Sequence, residues 1–594
     1  MMRITNSIIA NNSKINVNGN KVSVDKLNQQ MSDQKKIHSP SEDPVIAIRS
    51  LRLRGALNQI DQYYTKNIPD AMSWLDITET ALTNMKGLIS SVSKQCVYGA
   101  NDPLEKADRK VILDELSETR KQIYSEGNAD YAGRTLFTGW KTQEFLTFQT
   151  DDLNSTYKIK ETFKPGDLED ITYINNSPDI KYGQVDEIIE EEGVTPSYPI
   201  YAGVTPETGD SPQAKGWYEQ SGTGTATDPY VYNLTTDTNV VAGKTYYTTI
   251  NQAMPTTTET ARLALGYNNL TDPSKETPPV TEMTLTYTYS RRDSLTGEMK
   301  TFENTIKCKV VDFYDTETRD AAYNVPAKDP DDTSSAKEGA YAHFIPSTGE
   351  IILNNEAKLA LRNADEMTFE YSKTGFQKGE LRPEHYYNCW KSVDEEGNVI
   401  KNIDGREEPI EYIKEDNPID YTVSFNQTIR INTEASEVFD SRMARSIDDM
   451  ITALQNLDAA DEKVENIKKM MEEPRYESEE DQEKLQTMLN AAQKEKDLLD
   501  DSVQKLFEKN ISVWQGYLDK VDLAITDCGS RYARVELTES RMASQQATFK
   551  KLKSTNEDRE LSDIIIDYTS ASTAYQSSLK ATGKALQQSL LDYI

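Results

Sequence analysis

The chain has 594 residues, 36% of them apolar and 28% charged, and its 66 basic and 98 acidic side chains leave a formal charge of -32 at pH 7. Such an acidic chain repels phosphate backbones, which argues against a nucleic-acid partner. No run approaches the roughly 18 apolar residues of a membrane span, so no membrane insertion is expected.

The four cysteines (Cys96, Cys308, Cys389, Cys528) lie far apart without CxxC spacing, and the histidines (His38, His343, His385) are scattered. Neither a disulfide framework nor a zinc site nor a His-based triad is expected from that spacing. Phosphate-binding glycine loops, HExxH and GxSxG are absent, so the sequence offers no catalytic residue, cofactor or metal. Asp329, Asp331 and Asp332 lack the glycine and closing glutamate of an EF-hand loop. The acidic run Glu187 with Glu190 to Glu192 reads as a solvated face. The amino end lacks the apolar core of a secretory signal, so the expected product either stays inside or leaves uncleaved.

Proline divides the chain. Of 22 prolines, 17 lie between 145 and 435, and 21 of the 32 tyrosines share that middle. Proline breaks helices and tyrosine favours strands, so helical ends around a β-rich insertion are expected. The predicted class is α+β: a long helical bundle or coiled coil from the two ends, with a multi-part β-rich region between them.

Residues 1–40 carry spaced apolar positions (Ile4, Ile8, Ile15, Val22, Leu27, Met31) among many Asn and Ser, and read as an amino-terminal assembly segment. Residues 41–144 read as the first half of the helical core. One helix is predicted from Pro44, with Ser41 as N-cap and Ile48, Leu51, Leu57 and Ile60 on its apolar face. A second, from about Ala71, places Leu75, Thr78, Leu82, Met85, Ile89, Val92 and Cys96 on one heptad seam. A third follows Asp102-Pro103 and carries Leu104, Ile112, Leu116 and Ile123.

The middle, 145–435, carries two hairpin signals. Leu285, Tyr287 and Tyr289 alternate before a turn-rich stretch, Asp293 to Glu298, and Ile306, Cys308 and Val310 alternate after it. Phe344-Ile345 and Ile351 to Leu353 flank Pro346-Ser347-Thr348-Gly349. Residues 195–250, rich in Thr, Gly, Pro and aromatics, read as a separate small β module.

Residues 436–560 read as the second half of the helical core. They include an acidic helical hairpin at about 459–509, in which 472 to 501 hold 11 acidic and 4 basic residues around Pro474. Residues 561–594 read as a carboxy-terminal assembly helix: Ile565, Ser572, Leu579, Leu586 and Tyr593 recur every seven positions, with Leu561, Tyr568 and Tyr575 as a companion row and Leu590 near the end. Two readings of that stripe stay open: an ordinary core helix, or a helix that packs against other subunits.

Both ends resemble one family, the flagellar hook-associated protein 3 or hook–filament junction proteins, relatives of flagellin. The residues that carry the resemblance are the opening Met2-Arg3-Ile4-Thr5, the turn Ser39-Pro40-Ser41-Glu42-Asp43-Pro44, and Asn67-Ile68-Pro69-Asp70-Ala71. They continue with Gly133-Arg134-Thr135-Leu136-Phe137-Thr138-Gly139, Glu437-Val438-Phe439, Gly529-Ser530-Arg531, Tyr575-Gln576-Ser577-Ser578-Leu579 and the closing Ser589 to Ile594. In the turn, Glu42 stands where the family has Asp. The match covers roughly 1–145 and 420–594. The middle is larger than in compact members, and the acidic hairpin is additional.

The resemblance implies a structural, non-enzymatic subunit of the bacterial flagellum. It would be exported through the type III channel without a cleaved signal and assembled through its terminal helices into a ring or tube of copies of itself. Implied partners are the neighbouring hook-associated protein, flagellin, and an export chaperone at the carboxy-terminal segment. Competing readings are a flagellin-like filament subunit, a surface adhesin or binding module, and a polysaccharide hydrolase hidden in the middle.

Overall fold

A computed structural model describes the chain apart from residues 1–5, 102–104, 178–184, 187–199, 205–210, 214–216, 222–230, 242–243, 245, 250–253, 293–297, 314–315, 333–337, 403–404, 473, 475–476, 478 and 588–594. The expectations placed on Ile4, Leu104, the 293–297 turn, the 187–192 acidic run and the closing 588–594, Leu590 included, lie outside the described residues. The architecture is α+β: helices from both ends of the sequence flank a large sheet region. The chain divides into two compact units, Met1–Asp76 with Ile419–Asn432 and Asp527–Ile594, and Ile77–Pro418 with Thr433–Thr526.

The helices in chain order are α1 (Asn6–Asp33), α2 (Pro44–Gln62), α3 (Ile68–Gly99), α4 (Lys106–Gln122), α5 (Thr316–Tyr323), α6 (Asn355–Arg362), α7 (Ala435–Val438), α8 (Arg442–Met471), α9 (Glu479–Glu557) and α10 (Leu561–Gln587). Helix α2 starts where expected, with Pro44 in its first turn, but its N-cap is Asp43 rather than Ser41. The Asp43 carboxylate accepts from the amides of Val45 (2.9 Å) and Ile46 (3.1 Å), whereas the Ser41 hydroxyl pairs with that of Ser39. A carboxylate one residue before the proline reaches the orphan amides of the first turn; a serine two residues earlier does not.

The expected apolar face of α2 is also corrected. Ala47, Ser50, Leu57 and Ile60 are buried, while Ile48 and Leu51 are exposed. The helices read as separate at Pro44 and Ala71 are joined by a π-helical turn, Tyr63–Asn67, in which the Ile68 amide reaches back to the Tyr63 carbonyl. Pro69 follows directly; its ring crowds the carbonyl four residues earlier, and widening the preceding turn relieves that crowding.

In the smaller unit α1 pairs with α10. A two-stranded hairpin, Asp420–Ser424 with Gln427–Arg430, lies beside the π turn: Tyr63 meets Phe425 edge-on at 5.6 Å, and Tyr421 donates to Asp70. In the larger unit, α3 presents Thr78, Leu82, Met85, Ile89, Val92 and Cys96 as a continuous buried row, as its heptad spacing requires. The Cys96 thiol lies 3.7 Å from the sulfur of Met450 on α8. Helix α4 buries Ile112 and Leu116, with Ile123 just beyond its end, and ties to α8 through Arg109, which bonds Asp458 (2.8 Å) and Asp461. The acidic hairpin is a helical turn-back with a core of its own: Val464, Ile467 and Met470 on α8 pack on Leu485, Met488 and Ala492 on α9.

A ten-stranded mixed sheet occupies the middle of the larger unit. Its strand order is Ile410–Tyr412, Asn388–Val393, Asp152–Phe163, Glu366–Phe376, Glu282–Arg292, Met299–Val310, Tyr341–Ile345, Glu350–Leu353, Thr256–Ala264 and Glu169–Asn175. Both expected hairpins form within it, and Gly349 closes the second at φ +65°, a left-handed conformation that glycine adopts without penalty. A second, five-stranded sheet runs Val185–Asp186, Ile200–Val204, Tyr246–Thr249, Tyr218–Ser221, Val231–Leu234. The large sheet is fastened to α8 by a buried charge network. Arg262 bonds Glu169 (2.8 Å), Glu350 (2.6 Å) and Asp449, and Arg445 bonds Glu350 (3.1 Å).

Candidate assembly surface

The first and last helices, α1 and α10, form one antiparallel pair. Arg559, just before α10, donates through its backbone amide to the Gln34 carbonyl (2.8 Å) and through its guanidinium to the Gln30 side chain (3.0 Å). The end of α1 therefore meets the start of α10. Lys35 pairs with Asp558, and the Lys36 amide donates to the Glu557 carbonyl (2.8 Å).

Glu557 is the clasp of this region. Arg54 reaches it in a two-pronged pair, Nε to Oε1 at 2.7 Å and Nη2 to Oε2 at 2.8 Å, and the Ser50 hydroxyl also donates to it. The Arg54 guanidinium holds the Glu557 carboxyl well below its usual range, at about 2. Fork-to-fork arginine–carboxylate pairing fixes orientation as well as energy.

Each terminal helix carries two apolar rows rather than one. The half-buried inner row of α1 is Val17, Asn20, Val24, Leu27 and Met31, in steps of three and four. On α10 the inner row is Ile564, fully buried, then Tyr568, Ala571, Tyr575, Ser578 and Thr582 in the same rhythm. These rows make a coiled-coil seam. Of the residues expected to assemble, Leu27, Tyr568 and Tyr575 belong to it.

Of the others, those whose side chains are described face outward. Ile8, Ile15 and Val22 recur every seven residues on α1 and are 48%, 63% and 66% exposed; on α10, Ile565, Ile566 and Leu579 are 46%, 66% and 45% exposed, and Leu561 is exposed beside them. Leu586 lies on α10, with its side chain outside the described set. On α1 this exposed row repeats at heptad spacing as an unfilled seam, and on α10 the exposed Ile565 and Leu579 stand two heptads apart with the half-buried Ser572 between them. The sequence reading missed the inner positions Val17, Val24, Ile564 and Ala571, although their alternating spacing was there to find.

The family-motif residues have structural duties. Ala132 and Gly133 (φ +52° and +77°) turn the short hairpin Asp130–Tyr131 to Arg134–Thr135, and the Gly133 amide donates to Asp130 (3.1 Å). Phe137 is buried edge-on against Phe439 at 5.2 Å, while its carbonyl accepts from the Ala435 amide (2.8 Å). Gly139 (φ +61°) lies where a Cβ would approach the Asn417 side chain to 2.9 Å. Asn67 donates to the Thr422 carbonyl (2.7 Å). Arg531 on α9 donates to the Asn432 carbonyl (2.7 Å) and pairs with Asp527, holding the foot of the 419–432 segment. Gly529 is different: a Cβ there would meet nothing within 4 Å.

The carboxylates of Glu282, Asp329 and Asp331 do converge, but the ammonium of Lys307 sits among them, 3.0 Å from Asp329 and 3.7 Å from Glu282. A fixed cation supplies the charge a metal would bring.

Residues 4–142 match the family model for the bacterial flagellin N-terminal helical region. The chain is 28% identical over 143 residues to flagellar hook-associated protein 3 of Salmonella typhimurium, a stretch that is 24% of this chain and 45% of the relative. It is 30% identical over 119 residues to the protein of the same name from Escherichia coli, 20% of this chain and 37% of that one. The chain thus spans less than half the length of the curated relatives it matches. The crystal structure of Xanthomonas campestris FlgL aligns over 84% of this chain and 99% of its own, at 13% identity and a TM-score of 0.25, too low an overlap to carry weight. Over residues 4–142 this chain is similar to the flagellin N-terminal helical region, and over stretches of 119 to 143 residues to flagellar hook-associated protein 3.

Proposed function

We propose that this protein is a structural subunit of the bacterial flagellum that joins hook to filament, and that it acts by assembly rather than by catalysis. The observation that carries this reading is the outward apolar heptad row of α1, with exposed Ile565, Ile566 and Leu579 on its partner α10. A helix pair that has satisfied one seam and presents another is built to receive a neighbour's helices. Copies of the chain then form a ring or short tube, with the β-rich region carried as an insertion.

The partners in this reading are copies of the chain itself, the neighbouring hook-associated protein on one side, and flagellin on the other. An export chaperone covers the carboxy-terminal segment before delivery, and the subunit reaches the flagellum by type III export without cleavage. The helices α1 and α10 lose their remaining freedom only when neighbours cover the outer positions, where apolar burial offsets the entropy of ordering.

Deletion of the gene tests the function directly. The expected result is hooks without attached filaments and unpolymerised flagellin in the medium; normally filamented cells would refute it. Hydrogen exchange on the purified monomer tests the ordering step, which strong protection at both ends would contradict.

A further inference from the structure

In the larger unit, the segment after the Phe137 turn brings Glu144 against the turn Pro383–His385, between the strands Glu366–Phe376 and Asn388–Val393. One ligand atom from each of Glu144, Glu384 and His385 lies within 4.8 Å of the other two. Glu384 is only 7% exposed. Its Oε1 faces Arg382 at 3.5 Å, but its Oε2 is buried with no hydrogen-bond partner. The Nε2 of His385 is likewise buried and unpartnered. Buried polar atoms that gain nothing in exchange for lost water are costly, and this cluster holds two of them.

We propose that Glu144, Glu384 and His385 form a binding site for one divalent transition-metal ion of the zinc type. Two carboxylates and one imidazole suit zinc, cobalt or manganese rather than calcium, which takes six to eight oxygens. Metal–ligand bonds of about 2.0–2.2 Å need the three ligand atoms to draw closer together. Glu144, on an exposed stretch of chain, supplies that movement and leaves the outer coordination positions to water.

Two cations border the cluster: Arg382, which faces Glu384 and lies over the Phe148 ring at 4.9 Å, and Lys141, whose buried ammonium has no hydrogen-bond partner and lies over the Tyr412 ring at 4.1 Å. Their charge competes with a bound cation, and the metal must outweigh it. A bound ion would cross-link the loop that follows the helical segment to a turn of the sheet, two stretches far apart in sequence.

The test uses the full-length chain, stripped of metal and titrated with zinc by calorimetry and with cobalt by visible absorption. The expected result is one equivalent bound, with cobalt bands indicating nitrogen and oxygen ligands. Glu144→Gln and His385→Ala should each weaken binding by at least about tenfold. Because Glu144 is exposed, its variant is expected to fold normally, which circular dichroism checks, so lost binding there cannot be ascribed to unfolding. No zinc uptake, or uptake unchanged in both variants, overturns the proposal; the first outcome means that Lys141 serves as the counter-charge, the second that the metal sits elsewhere.

Discussion

Replacing Ile15 and Val22 together with serine separates assembly from folding. Both lie on the outer row of α1, at 63% and 66% exposed, and neither belongs to the seam with α10. Fully burying an Ile or Val side chain contributes about 1.5–3 kcal/mol, so covering the exposed two-thirds of both is worth about 2–4 kcal/mol per subunit. Removing them should therefore weaken subunit association roughly 30- to 1,000-fold. The isolated monomer should change by no more than about 0.5 kcal/mol, the usual range for surface positions. Sedimentation of the purified protein measures the first quantity, thermal unfolding followed by circular dichroism the second, and filament attachment in a deletion strain gives the cellular readout. Leu579→Asp, on the outer row of α10, should behave alike. Val17→Ser with Val24→Ser is the contrasting pair: these line the inner seam and should loosen the α1–α10 contact within the monomer. Wild-type association by the Ile15/Val22 variant, with filaments attached normally, would refute the assignment of the outer row.

Glu557→Gln removes the charge that binds Arg54 on both prongs and should lower the stability of the smaller unit by about 1–3 kcal/mol in chemical denaturation. Since the folded pKa of Glu557 is depressed to about 2, that contribution is present above the unfolded value of 4.5 and is lost as pH falls between them; the wild type should show this acid-side slope and the variant should not. Glu161 gives the opposite sign. Burial raises its pKa to about 7 even though it accepts from the Gly266 amide and the Tyr371 hydroxyl, so stability of the larger unit should fall as pH rises from about 4.5 to about 7, and Glu161→Gln should flatten that slope. Gly529→Ala should stabilise the monomer by about 0.5–1 kcal/mol, because a helical glycine with open space around it costs entropy and secures no packing. A lower melting temperature in that variant would show that the space is not open.

The amino-acid sequence by itself determined what is set by local rules. Proline and tyrosine distribution marked helical ends around a β-rich middle. The heptad row from Leu75 to Cys96 is buried throughout, because a helix with one continuous apolar stripe has one face to hide. The alternation at 285–310 and 344–353 located two hairpins, and Pro474 among acidic residues located the turn of the long helical hairpin. Only the tertiary structure decided which of two rows on each terminal helix faces inward. Ile15 and Val17, or Ile565 and Tyr568, are near neighbours in sequence and comparably apolar; the choice is made by the partner helix, more than five hundred residues away. The same reason explains Ile48 and Leu51 on α2, exposed while Ala47 and Ser50 are covered, because the Arg54 and Ser50 bonds to Glu557 fix how that helix is turned. The Glu144, Glu384 and His385 cluster was invisible for a related reason: spacing along the chain reports ligands only when one local element supplies them, and here a loop and a distant turn supply them together.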